Sequence, residues 1–294
     1  MSQVHRYSRW QFFKNTVQRL FKNLYKHNVG KNAAALAYYL LFAVFPLLIF
    51  ASNFLGLMKL NTSELILNFN RILPRDAVGV LSNYLDYISE NSSHTLMWFA
   101  LIFSVWFPLR AVQGLMDDVR RAYGLGPPKK ITVYSIKQIA YTVVFLVVIV
   151  LTVLLSILGE NVINFIRGLL PESTLSITDN QINIWQYLRF VPIALLMITA
   201  IGALYSLSLD SRQKVKNILP GIASAVVLWL ILSIGFSFYV ENFSSYSVIY
   251  GTLGAVIVLR VWQYMTSFVL IFGAELNAAV YKTQKEMELS GKQI

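Results

Sequence analysis

The chain has 294 residues, of which 56% are hydrophobic and 13% charged, with a mean hydropathy of +0.57. A soluble domain averages roughly 45–50% apolar and about 25% charged residues, so most water-soluble architectures are excluded. The 25 Lys and Arg against 14 Asp and Glu give a formal charge of +11, which admits nucleic acid, an anionic membrane surface or an anionic substrate as partners until the charges are placed.

Residues 1–32 carry no acidic side chain, and Trp10, Phe13, Val17, Leu20, Phe21 and Leu24 recur at helical spacing among Lys14, Arg19, Lys22 and Lys26. This pattern predicts a cytoplasmic amphipathic helix lying on the anionic lipids of the inner leaflet. A basic arm for single-stranded RNA is the other reading of Lys and Arg beside aromatics. It is set aside because the aromatics share one face and the segment runs almost directly into an apolar span, so no nucleic-acid partner is expected.

Six stretches then approach the ~20 apolar residues that cross a bilayer. They lie near 33–58, 96–115, 138–158, 187–209, 218–240 and 250–280, and together make a transmembrane domain over 33–280 with a cytoplasmic tail over 281–294. The fold class predicted is thus all-α, a polytopic membrane protein with six transmembrane helices. The first outer connection, 59–95, has Leu65, Ile66, Phe69, Ile72 and Leu73, then Val80, Leu81, Tyr84, Leu85 and Ile88, separated by Pro74. These mark two short amphipathic helices, which cap the bundle or offer a surface to an envelope protein partner.

Basic residues crowd alternate connections. Arg120, Arg121, Lys129, Lys130, Lys137, Arg212, Lys214 and Lys216 join the N-terminal segment and tail on one side, whereas Lys59, Arg71, Arg75 and Arg167 are the basic residues of the other. The positive-inside rule then places both termini in the cytoplasm. The excess charge is mostly an address within the membrane.

Chemistry must be sought among polar residues inside the spans, where a charge is expensive. Arg260 falls near the middle of the last span and either anchors helix packing or binds an anionic group. Arg110, Gln113, Gly114 and Asp117 share a face at the inner end of the second span, and Arg110 could pair across the bundle with Glu275. Pro46, Pro108 and Pro192 remove backbone donors and invite kinks, as hinges or as packing features. Gly221, Gly251, Gly254 and Gly273 mark close helix approaches. No cysteine, phosphate loop, paired-histidine zinc motif or nucleophile elbow occurs. No cofactor, metal or catalytic residue is therefore expected.

Several segments resemble the YihY/virulence factor BrkB family of bacterial inner-membrane proteins. They are the run from Asn32 through Ala33-Ala34-Ala35-Leu36-Ala37-Tyr38-Tyr39 to Pro46-Leu47-Leu48, Arg121-Ala122-Tyr123-Gly124, Pro220-Gly221, the stretch Phe236 to Tyr246, Tyr250-Gly251-Thr252-Leu253-Gly254-Ala255-Val256, and Gly273-Ala274-Glu275-Leu276-Asn277. The resemblance implies six transmembrane helices and a role in the envelope, with lipid transport suggested. It also brings a ribonuclease label generally regarded as a misassignment. Handling of an amphipathic anionic envelope molecule is the leading expectation; a structural scaffold for envelope integrity is the alternative, and ribonuclease activity a distant third.

Overall fold

A computed structural model describes residues 9–57, 94–149, 190–210, 215–242 and 252–292, and among them every regular element is a helix. In chain order these are α1 (Arg9–Lys26), α2 (Val29–Leu57), α3 (His94–Tyr123), α4 (Ile131–Ile149), α5 (Phe190–Leu207), α6 (Val215–Asn242) and α7 (Thr252–Lys292). Five of them contain stretches long and apolar enough to cross a membrane: Val29–Phe50, Met97–Tyr123, Ile131–Ile149, Asn217–Val240 and Val256–Leu289. The described part of α5 is apolar but shorter. The amphipathic pair expected in 59–95, the outer connection 159–186 and Gly251 lie outside the described residues.

Helix ends follow local backbone chemistry rather than the edges of the apolar runs. Asn28 adopts φ 52°, a left-handed conformation that suits Asn after a helix, and separates α1 from α2. Its carbonyl accepts from the Asn32 amide at 3.0 Å, opening the second helix. At the end of α3, Gly124 (φ 73°) donates to the Arg121 carbonyl at 2.9 Å and Leu125 to the Arg120 carbonyl at 3.0 Å, the paired bonds of a glycine-terminated helix. The second span is therefore part of a helix that continues eight residues past the Leu115 at which its apolar run ends.

The chain divides into two compact units whose boundaries fall inside helices. One holds α1, α6, α7, α2 through Ala43, α3 from Phe107, α4 through Tyr141 and α5 from Ile201. Here α7 packs along both α6 and α1. Its core combines Leu36, Met116, Val119, Leu204, Tyr205, Ile271, Ala274 and Ala278, all buried. Outward-facing Val227, Leu230, Ile231, Ile234 and Phe238 of α6 are more than half exposed or close to it, an apolar surface suited to a hydrocarbon surround. In the other unit Phe99 and Phe103, one turn apart on α3, have ring centroids 4.4 Å apart, and the Ser104 hydroxyl donates to the Leu101 carbonyl at 2.8 Å.

Of the prolines expected to disturb spans, Pro46 lies within α2 and Pro108 within α3, while Pro192 falls in the first described turn of α5. Pro220 is a fourth, inside α6, and its neighbourhood is braced from α7. Asn277, fully buried, accepts from the Gly221 amide at 2.6 Å and donates to the Ile218 carbonyl at 2.9 Å. Polar side chains of a neighbouring helix thus satisfy backbone groups near the proline, as a membrane interior demands. A side chain at Gly221 would overlap the Gly273 carbonyl and the Asn277 amide, and one at Gly273 would meet the Tyr205 hydroxyl and, at 2.6 Å, the Gly221 carbonyl. The two glycines expected to mark close approach therefore face each other. Gly254 is buried.

Candidate functional site

Arg260 sits on α7 within an otherwise apolar stretch. Its Nη2 donates to the Ala34 carbonyl of α2 at 3.0 Å, and its guanidinium lies over the Tyr38 ring, 5.8 Å from the centroid. Nη1 is buried and has no hydrogen-bond partner. Gln263 and Ser267 follow on the same face of α7, at the three- and four-residue steps of a helix. Gln263 Oε1, Thr266 Oγ1 and Ser267 Oγ are likewise buried without partners. A buried polar group left unsatisfied costs about 1–3 kcal/mol, so a row of them on one transmembrane helix is not a neutral packing choice.

Fifteen residues beyond Arg260, about 22 Å along the helix axis, Glu275 is 1% exposed and its Oε1 lies 2.5 Å from Nδ1 of His27 in the α1–α2 turn. Its Oε2 is buried and unpartnered. Beside this pair Asn32 Nδ2 donates to the His27 carbonyl at 3.1 Å and to Asp118 Oδ1 at 2.8 Å, while Arg121 Nη1 donates to the same oxygen at 3.0 Å. The network ties the start of α2, the C-terminal end of α3 and α7 into one polar cluster.

The pairing expected between Arg110 and Glu275 is not formed. Arg110 is exposed and its Nη1 donates to Gln113 Oε1 at 3.2 Å, one turn along α3. Glu275 is turned instead to His27, which lies within hydrogen-bond distance of its Oε1. Asp117 stays on the face of α3 that carries Arg110, Gln113 and Gly114, and accepts from the Tyr134 hydroxyl of α4 at 3.0 Å. Of the five polar residues singled out in the sequence, the structure brings Arg110 to Gln113 and seats Arg260, Glu275 and Asp117 separately. His27, Asp118, Gln263 and Ser267 were not singled out, and Asn32 enters the sequence reading only as the start of the family-like run. The two on α7 carry a signal, polar residues at helical steps from an intramembrane arginine; the others carry none.

A second hub holds the C-terminal ends of α3 and α5 together. Arg120, 4% exposed, contacts Asp210 Oδ1 at 2.7 Å and Oδ2 at 3.2 Å, donates to the Ser208 and Gly126 carbonyls, and stacks over Tyr134. These hydrogen bonds hold the Asp210 carboxyl below its ordinary range, Coulombic attraction to the same guanidinium adding to them against the desolvation. Each terminal nitrogen of the guanidinium thus bonds one carboxylate oxygen and one carbonyl, as suits a buried arginine.

This geometry belongs to a chain whose residues 20–293 match the family described as Virulence factor BrkB. The chain belongs to the BrkB family. It is a membrane protein family. The Bacillus subtilis (strain 168) protein named "Putative ribonuclease-like protein YfkH" is 25% identical over 269 residues, covering 92% of this chain and 96% of the relative. The "UPF0761 membrane protein VV0203" of Vibrio vulnificus (strain YJ016) is 24% identical over 270 residues, 90% of this chain and 82% of the relative. A shorter match, 36% over 93 residues, joins 32% of the chain to 31% of the Pseudoalteromonas translucida (strain TAC 125) "UPF0761 membrane protein PSHAa0171". No solved structure matches.

Proposed function

We propose that this BrkB-family protein handles an amphipathic anionic molecule of the bacterial envelope, such as a lipid, at the cytoplasmic membrane and without catalytic chemistry of its own. The observation that carries the reading is Arg260. One guanidinium nitrogen is fixed by the Ala34 carbonyl while the other is buried with no partner, at the head of a row of unpartnered polar atoms on α7. Such a fork offers a charge-assisted bond to a phosphate or carboxylate at membrane depth. In this reading α5 completes six spans, both termini are cytoplasmic, and α1 rests on the anionic inner leaflet. Trp10, Phe13, Phe21 and Tyr25, each more than half exposed, support that seating.

The test reconstitutes the purified chain in vesicles with fluorescent phosphatidylglycerol and follows its binding and its movement between leaflets. Arg260→Ala is expected to abolish movement and to fail in complementing a deletion. Protein that neither binds nor moves any anionic lipid, together with an Arg260→Ala variant that still complements, would falsify the proposal.

The contacts of Arg260 with Ala34 and Tyr38 also favour a second reading, a scaffold in which the arginine locks α7 to α2 and the outer connection 59–95 holds an envelope partner. Recovery of a stable partner dependent on 64–90, with charge removal in the spans tolerated, would select it. The ribonuclease name borne by the Bacillus relative is tested by incubating RNA with exhaustively purified protein; cleavage that survives purification would overturn the non-catalytic reading.

A further inference from the structure

Between α1 and the cytoplasmic end of α7 lies a cavity of about 450 Å³, within the range of small-molecule sites. Arg19, Lys22 and Lys26 of α1 and Lys282 of α7 line it, and the one carboxylate among its lining residues is Glu286. Arg19 Nη2 already holds that carboxylate, 2.6 Å from each oxygen. Lys282 Nζ donates to the Ala122 carbonyl at 2.8 Å and lies within electrostatic reach of Glu275, which does not line the cavity, and of the cations Arg19 and Lys26. Three lysines therefore line a concave surface whose one lining carboxylate is already held by Arg19. Asn23, also lining the cavity, has a buried amide nitrogen with no partner.

Gathered cations repel one another unless an anion joins them, and several lysine donors beside an amide N–H suit a ligand with many acceptor oxygens. We infer that this cleft binds a phosphate-bearing anion supplied from the aqueous side of the membrane. The side follows from the helical wheel. The lining residues Arg19, Lys22, Asn23 and Lys26 lie on the face of α1 roughly opposite Trp10, Phe13, Phe21 and Tyr25. With those aromatics in the leaflet, the cleft opens away from the acyl chains, where a soluble phosphorylated molecule reaches it and a lipid headgroup does not. The site stands on its own residues; only the side of entry rests on the proposed seating of α1.

The experiment titrates inorganic pyrophosphate into the full-length protein in phosphatidylcholine nanodiscs by calorimetry, at low and at raised salt. Saturable binding is expected. Lys22→Glu, at an exposed position, should weaken it about tenfold or more, the worth of one charge-assisted contact, and Lys14→Glu, on α1 but outside the cavity, should leave it unchanged. Absence of pyrophosphate binding, or equal loss in the two variants, overturns the site. Binding confined to discs containing phosphatidylglycerol, and lost on Lys22→Glu, reassigns the cleft to a lipid headgroup and overturns the aqueous source. Quenching by brominated lipid, compared between the native chain and Trp10→Phe, reports the seating of α1 separately.

Discussion

Helix α7 turns one side to α6 and another to α1 and the start of α2, and the two sides are built on different chemistry. Toward α6 the contact is close: Gly221 and Gly273 bring the backbones together, and Asn277 spends both ends of its amide on the Pro220 region. Toward α1 and α2 the contacts are made by Arg260 and Glu275, with Lys282 beside them reaching the end of α3, while partnerless polar atoms remain nearby. A dry seam between small residues holds helices by van der Waals packing. The polar side gains little net stability from its half-used donors and acceptors, and retains the capacity to meet a ligand.

The largest way to break this comparison is His27→Ala. It strands a buried carboxylate whose second oxygen is already unpartnered, and a loss of about 3–5 kcal/mol is expected, read as the unfolding midpoint in detergent. Recovery of most of that loss in His27→Ala combined with Glu275→Gln would show that the stranded charge, not the lost ring, is responsible. Gly221→Ala attacks the dry side and should cost about 1–3 kcal/mol or more, because neither the Gly273 carbonyl nor Asn277 can move aside without breaking its own bonds. Arg260→Met should leave the unfolding midpoint unchanged or raised, since a half-satisfied buried charge is exchanged for an apolar chain, while lipid movement is lost. A strong destabilisation by Arg260→Met would instead make the two sides alike.

The smallest effect lies away from α7. The Asp210 carboxyl is held below its ordinary range by Arg120, so its contribution is fully present above the unfolded-state value near pH 4 and fades as pH falls through the lower folded value. Thermal unfolding from pH 7 to pH 3 should show this acid-side loss in the native chain, and Asp210→Asn should remove that component of the pH dependence. Because Asp210 is partly exposed, raised salt should shrink the difference.

Much of the helical order was legible because a bilayer imposes length and apolarity on whatever crosses it. The described residues of the stretches near 33–58, 218–240 and 250–280 fall within α2, α6 and α7, and the aromatic-basic repeat before them lies in α1. Their true ends were not legible from hydropathy, which marks the hydrocarbon segment and not the helix. α3 runs to Tyr123 because Gly124 stops it, and α7 continues through Glu286 into the contact with Arg19. At the site, Arg260 was legible as a charge in an apolar run, whereas the partner of Glu275 was not. His27 is 248 residues away, in a turn whose composition says nothing of what folds beside it.

The sequence by itself determined that this is an all-helical membrane chain of the BrkB family, since apolar length and motif order are local properties. Tertiary structure alone decided which charges meet. It turned Glu275 to His27 rather than Arg110, spent Arg120 on Asp210, and left Arg260 Nη1 and Asn23 Nδ2 without partners. Those outcomes depend on side chains far apart in sequence arriving within hydrogen-bond distance, about 3 Å, which no periodicity along one segment records.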